Sequence, residues 1–181
     1  MGKLKLIRLA IEKKFLSLRL LFGTKCYCRG MNKYLKHFGI TLNGKPKFVA
    51  RDVKFDSTKP SEISIGEGSV ITSKVTVLVH DYSIECGLVA IGKQDPVYES
   101  MFIRPVVIGK NCFIGQQVFI KPGTTVGDNC IIGAGSVISG NIPPDSVVNG
   151  NPGIVIAKTS EWAERKFSQG KYIKGSKRRK K

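Results

Sequence analysis

Among side chains with an ordinary pKa close to neutrality, this 181-residue chain offers two histidines, His37 and His80. His80 lies in the run VHDYS, where a regular sequence pattern breaks off, with Asp81 beside it and Glu85 a little further on. A neutral imidazole with a pKa near 6.5 can take the proton from a hydroxyl or amine as that group attacks, an effect worth roughly 10²–10⁴-fold in rate. An isolated histidine is more often structural, but its place at the end of a strand opening onto an irregular segment favours a functional role. His37 lies outside the pattern and reads as structural or exposed. Neighbouring strand residues point to opposite faces, so Asp81 is poorly placed to orient the imidazole. Glu85 is an open candidate for that task, and for both acids the alternative is a solvated loop side chain.

The remaining chemistry-bearing residues exclude more than they establish. Cys26, Cys28, Cys86, Cys112 and Cys130 are an odd number without a C-x-x-C pair, so neither a disulfide framework nor a zinc ribbon follows. Two histidines fall short of a three-histidine zinc centre, and no metal is expected. The formal charge of +17 gathers in the first 47 residues and in the tail KYIKGSKRRKK. A basic tail is usually a solvated, disordered end; the alternative is attraction to an anionic membrane, at roughly 1 kcal/mol per basic residue near the surface. Nucleic-acid binding is not expected, because no recognition motif accompanies the charge. No apolar run approaches the roughly 20 residues of a membrane span, and Glu12, Lys13 and Lys14 interrupt anything resembling a signal peptide. The expected compartment is a reducing cytoplasm, with membrane association left open.

The elements that must position these residues are legible as periodicities. Leu4, Ile7, Ile11, Phe15, Leu18 and Phe22 follow helical spacing on one face, with Lys5, Arg8, Glu12 and Arg19 opposite. This amphipathic helix either caps the main domain or lies on a membrane. From Ile108 the chain divides into sixes: IGKNCF, IGQQVF, IKPGTT, VGDNCI, IGAGSV, ISGNIP. The first position is always aliphatic, the second is often glycine, and the fifth is mostly small or β-branched. IGEGSV, ITSKVT and VLVHDY, starting at Ile65, share the phase. A period of six marks a parallel β-helix in which three hexapeptides make one triangular coil. Ile108 should then stack on Val126, Ile114 on Ile132 and Ile120 on Ile138, with Cys112 and Cys130 packed inward in adjacent coils. The segment 82–105 leaves the repeat, and a long irregular excursion in a compact domain is usually functional. The chain accordingly reads as a basic helical cap over 1–47, a β-helix over 48–158 and a short helical, basic tail over 159–181.

The repeat, the VHDYS run and the closing stretch IGAGSVISGNIPPDSVVNGNPG together resemble the hexapeptide-repeat acyltransferases. Within that family the likeness is to maltose, galactoside and serine acetyltransferases and to surface-polysaccharide O-acetyltransferases. The resemblance implies an all-β, left-handed parallel β-helix and a homotrimer. It implies direct acetyl transfer from acetyl-CoA to a sugar or glycan hydroxyl in surface polysaccharide or glycolipid assembly. N-acetylation of an amino sugar and a non-catalytic scaffold are the alternatives. His80 would be the general base and a backbone N–H would meet the oxyanion. Asp81 would bind acceptor hydroxyls. The coenzyme would run along a cleft between subunits, near Gln116, Ala134, Ser139, Gly140 and Lys158. Three departures from the family pattern stand out. Ser139 and Gly140 replace a threonine-lysine pair, which leaves phosphate contacts to Lys158 or Lys121. Gly153 stands where alanine is commoner, and Gln116 where glycine is.

Overall fold

The computed structural model describes residues 3–170 and 172–174; the basic run 175–181 lies outside the described residues. Two helices open the chain, α1 (Lys3–Leu21) and α2 (Thr24–Phe38). Gly39, at φ 115°, ends α2, and its N–H caps the carbonyls of Leu35 and Lys36. α2 was not legible as a helix in the sequence.

The chain then winds through three sheets in fixed rotation. The first coil is β1 (Thr41–Asn43), β2 (Phe48–Val49) and β3 (Lys54–Phe55). The second is β4 (Ile63–Gly66), β5 (Val70–Ile71) and β6 (Thr76–Val77). An excursion follows, made of β7 (His80–Asp81), α3 (Ser83–Ala90) and β8 (Phe102–Ile103). Winding resumes with β9 (Val106–Ile108), β10 (Phe113–Ile114) and β11 (Phe119–Ile120), then β12 (Thr125–Val126), β13 (Ile131–Ile132) and β14 (Val137–Ile138). β15 (Asn141–Ile142) and β16 (Ser146–Asn149) begin a last coil, which β17 (Ile154–Lys158) and α4 (Thr159–Ser168) close. The three parallel sheets are β1-β4-β9-β12-β15, β2-β5-β10-β13-β16 and β3-β6-β11-β14, and β17 adds antiparallel to β16. The first coil thus begins at Thr41, inside the segment assigned from sequence to the cap.

The inward columns follow the hexad pattern. Ile108 pairs with Val126, Ile114 with Ile132 and Ile120 with Ile138, all fully or almost fully buried. Each such side chain contributes about 2 kcal/mol of transfer free energy. Cys112 and Cys130 are buried in the core, and their thiols donate to the Gly127 and Pro143 carbonyls. Glycine after the aliphatic residue has a steric cause: a Cβ on Gly109 would lie 2.7 Å from the Gly127 carbonyl carbon in the next coil. Ile65 pairs with Ile108, 43 positions on, where an uninterrupted coil takes 18; the surplus is the excursion.

The first coil is capped by the helices. Tyr27, Met31, Tyr34 and Leu35 of α2 are buried, and the Tyr27 hydroxyl donates to the Val49 carbonyl at 2.8 Å. The helix predicted at the N-terminus is present, with a different face inward. α1 joins the core through Leu9 and Leu16, while the stripe from Leu4 to Phe22 faces solvent. His37 is structural: its Nδ1 lies 3.0 Å from Glu12 Oε1, tying α2 to α1.

Candidate active site

His80 leaves the prism at the corner following β6, where the excursion begins. Its ring is held from below by the first coil. Asp56, directly after β3, is only 5% exposed, and its Oδ2 lies 2.5 Å from His80 Nδ1. The same oxygen accepts the Val79 N–H at 2.9 Å and the His80 N–H at 3.1 Å, while Oδ1 accepts the Thr58 N–H at 2.8 Å. Burial alone would raise the Asp56 carboxyl. The N–H donors of Val79 and Thr58, then the His80 ring and Thr58 side chain, outweigh it and hold the pKa at about 2. A carboxylate only accepts, so Nδ1 carries the ring proton and Nε2 keeps a lone pair for chemistry. The Thr58 hydroxyl adds a contact to Nδ1 at 3.2 Å, and Tyr82 meets the ring edge-on.

The other two acids named from sequence bond elsewhere. Asp81 Oδ1 accepts the Ser83 N–H at 2.8 Å, an Asx turn at the start of α3. Its carboxyl is lowered first by Ser83 and then by the positive charges of Arg104 and Lys121. Glu85 Oε2 accepts the Ser100 N–H at 2.7 Å and so joins the two arms of the excursion. Pairing of β7 with β8, His80 opposite Ile103 and Asp81 opposite Phe102, closes the base of the excursion. The Arg104 guanidinium lies 4.4 Å above the Phe102 ring. The orienting residue is Asp56, which the sequence analysis missed. Only the fold brings it there: Phe55 pairs with Val77, so the acid after Phe55 lies beneath the turn into VHDYS.

The candidate donor residues occupy three different corners of the prism. Gln116 and Ala134 stack at the corner entering β11 and β14, and the Gly135 N–H donates to the Gln116 carbonyl at 2.8 Å. Ser139 and Gly140 follow β14 at the corner shared with Lys121 and, one coil further down, Leu78 on the way to His80. Lys158 pairs with Ser146 at the remaining corner, its Nζ 3.7 Å from Glu161. Gln116, Ala134, Ser139, Gly140, Lys121 and Lys158 are all exposed. Among the described residues no cluster of three His, Cys, Asp or Glu side chains is placed to hold a metal ion.

Comparison with known proteins bears on this arrangement. The family model for the hexapeptide repeat of succinyl-transferase matches residues 105–139. The galactoside O-acetyltransferase of Escherichia coli K12 is 36% identical over 99 residues, which are 55% of this chain and 45% of that protein. YvoF of Bacillus subtilis strain 168, a protein named only as an acetyltransferase, is 31% identical over 137 residues, 75% of this chain and 72% of YvoF. This chain belongs to the hexapeptide-repeat acetyltransferases. A solved galactoside acetyltransferase in complex with coenzyme A shares the fold of this family member, with a TM-score of 0.56 and 24% identity over 91% of this chain and 86% of the other.

Within the hexapeptide-repeat acetyltransferases, the glycine at 153 has a local explanation. A Cβ there would lie 2.8 Å from Ile138 Cγ2 and 3.1 Å from Val148 Cγ1, so this chain's own core fills the space an alanine methyl requires. Lys121 brings a cation to the corner of Ser139 and Gly140, one coil below the place where the threonine-lysine pair is missing. No helix among the described residues is long and apolar enough to cross a membrane.

Proposed function

We propose that this chain transfers an acetyl group from acetyl-CoA to a hydroxyl of a sugar in surface polysaccharide or glycolipid assembly, with His80 as general base. The observation that carries the reading is the fixed ring of His80, with Nδ1 committed to a buried carboxylate at the mouth of the excursion. Nε2 takes the hydroxyl proton as the sugar oxygen bonds to the thioester carbonyl carbon, then returns it to the thiolate when the C–S bond breaks. Asp56 stays ionised throughout, holding the tautomer and stabilising the transient imidazolium. Asp81, Arg104 and Lys121 border the acceptor side. Ser139, Gly140, Gln116 and Ala134 border the donor side, with Lys158 contributed to a cleft between copies.

The working form is a homotrimer of left-handed β-helices. Donor residues on three separate corners of one prism favour an assembly in which one copy's corner meets another's. The excursion points the same way, because Val89, Ile91, Val97 and Tyr98 are exposed apolar side chains that a neighbouring copy would cover. The test is release of free thiol from acetyl-CoA over a panel of sugars, with light scattering to measure the assembly. His80→Ala is expected to lower release by roughly 10²–10⁴-fold. Release at the wild-type rate would remove the mechanism, and a monomeric mass would remove the shared cleft.

A further inference from the structure

The outward face of α1 has no role in the fold. Leu4 is 85% exposed, Ile7 57%, Phe15 54% and Phe22 78%, with Ile11 and Leu18 between them also exposed. Five of these side chains form an apolar stripe along a helix of 19 residues, about 28 Å at 1.5 Å per residue, and Phe22 directly follows its end. Leu9 and Leu16, on another side of the helix, already fix α1 to α2. A stripe of this length left in water is costly unless something covers it.

Cations border that stripe. Arg19 and Arg8, the latter paired with Glu12 at 3.2 Å, lie along one edge and Lys14 along the other, the three cations all exposed. A groove of about 200 Å³ beside it is lined by Ile11, Phe15, Arg19 and Lys33 together with Glu12, the one acid of this segment. The Arg19 stem lies across Gly30 of α2, where a Cβ would come within 2.5 Å of its Cδ. Positions 1–47 hold twelve Lys and Arg against one acid, Glu12, whereas positions 105–158 hold three against two. The positive charge thus gathers on the cap rather than on the prism. A second copy docked face to face would bring two such segments together, and their like charges would repel. An anionic bilayer meets both requirements, apolar chains for the stripe and phosphates for its borders.

We infer that the outward face of α1 docks on an anionic lipid surface. The docking does not depend on the acetyl-transfer reading, but it has a consequence for it. α2 packs on β1 and β2 of the first coil, the coil that also carries Asp56. His80 therefore sits about one coil, roughly 5 Å, from the capped end.

Flotation of the full-length protein with vesicles tests the inference, using phosphatidylcholine alone or mixed with phosphatidylserine. The wild type is expected to float with the mixed vesicles and to be released by salt. Ile11→Gln/Phe15→Gln/Leu18→Gln should lower the partition coefficient at least about tenfold, because three apolar contacts are lost. These side chains are exposed, so thermal stability and acetyl transfer should stay at wild-type values. Phe15→Trp in a Trp162→Phe background gives an independent reading, a blue-shifted emission on the mixed vesicles. Failure of the wild type to float overturns the inference. So does undiminished flotation of the triple variant, including the case in which only removal of Ser176–Lys181 abolishes it. A change in oligomeric mass in the triple variant would assign the face to another copy and overturn it as well.

Discussion

Asp56→Asn isolates the positioning of His80 from everything else in the site. The substitution is nearly isosteric, yet it exchanges a carboxylate that accepts from three N–H groups and a ring nitrogen for an amide that can turn only one oxygen toward them. The native carboxyl is held at about 2 rather than 3.8, which at 1.36 kcal/mol per unit is about 2 kcal/mol of stability. In a chain of this size the melting temperature should fall by about 4–8 °C. The kinetic effect is larger, because the ring loses the acceptor that holds its proton on Nδ1 and aims Nε2. kcat should fall by roughly 10²–10⁴-fold, while KM for acetyl-CoA stays within about twofold, since Asp56 touches none of the donor residues. Thiol release below the melting temperature measures both constants, and ¹⁵N shifts of the His80 ring read the tautomer directly. A kcat within about threefold of wild type, or a ring that keeps its proton on Nδ1 in the variant, would refute a positioning role for Asp56.

Other expectations follow from the same contacts. The Asp56 carboxyl is depressed in the folded protein, so its contribution to stability is complete above about pH 4 and is lost as the pH falls through about 2. Denaturant titrations across that range should show the loss in wild type and a flatter profile in Asp56→Asn. Gly109→Ala forces a methyl against the Gly127 carbonyl in the next coil and should cost about 3 kcal/mol, read by the same titrations. Ile120→Ala empties a fully buried position between Val77 and Ile138 and should cost about 2–5 kcal/mol. A wild-type midpoint for either variant would contradict the close stacking of coils.

The hexad pattern alone determined the prism. Aliphatic residues six apart have one way to share an interior, and the glycine after them marks where successive coils approach too closely for a Cβ. Ile108 on Val126, Ile114 on Ile132 and the inward cysteines were all legible, as was His80 at the break, because each depends only on local phase. Asp56 was not legible, since its contact with His80 joins residues 24 positions apart through an irregular first coil. The placement of Asp81 and Glu85 also needed the folded excursion, whose backbone N–H groups claim both carboxylates. α1 is the clearest choice that the sequence left open. Periodicity identified its apolar stripe, but hydrophobic spacing says only that a face must be covered. Tertiary packing decided that Leu9 and Leu16 meet α2, leaving the longer stripe, from Leu4 to Phe22, turned to the outside.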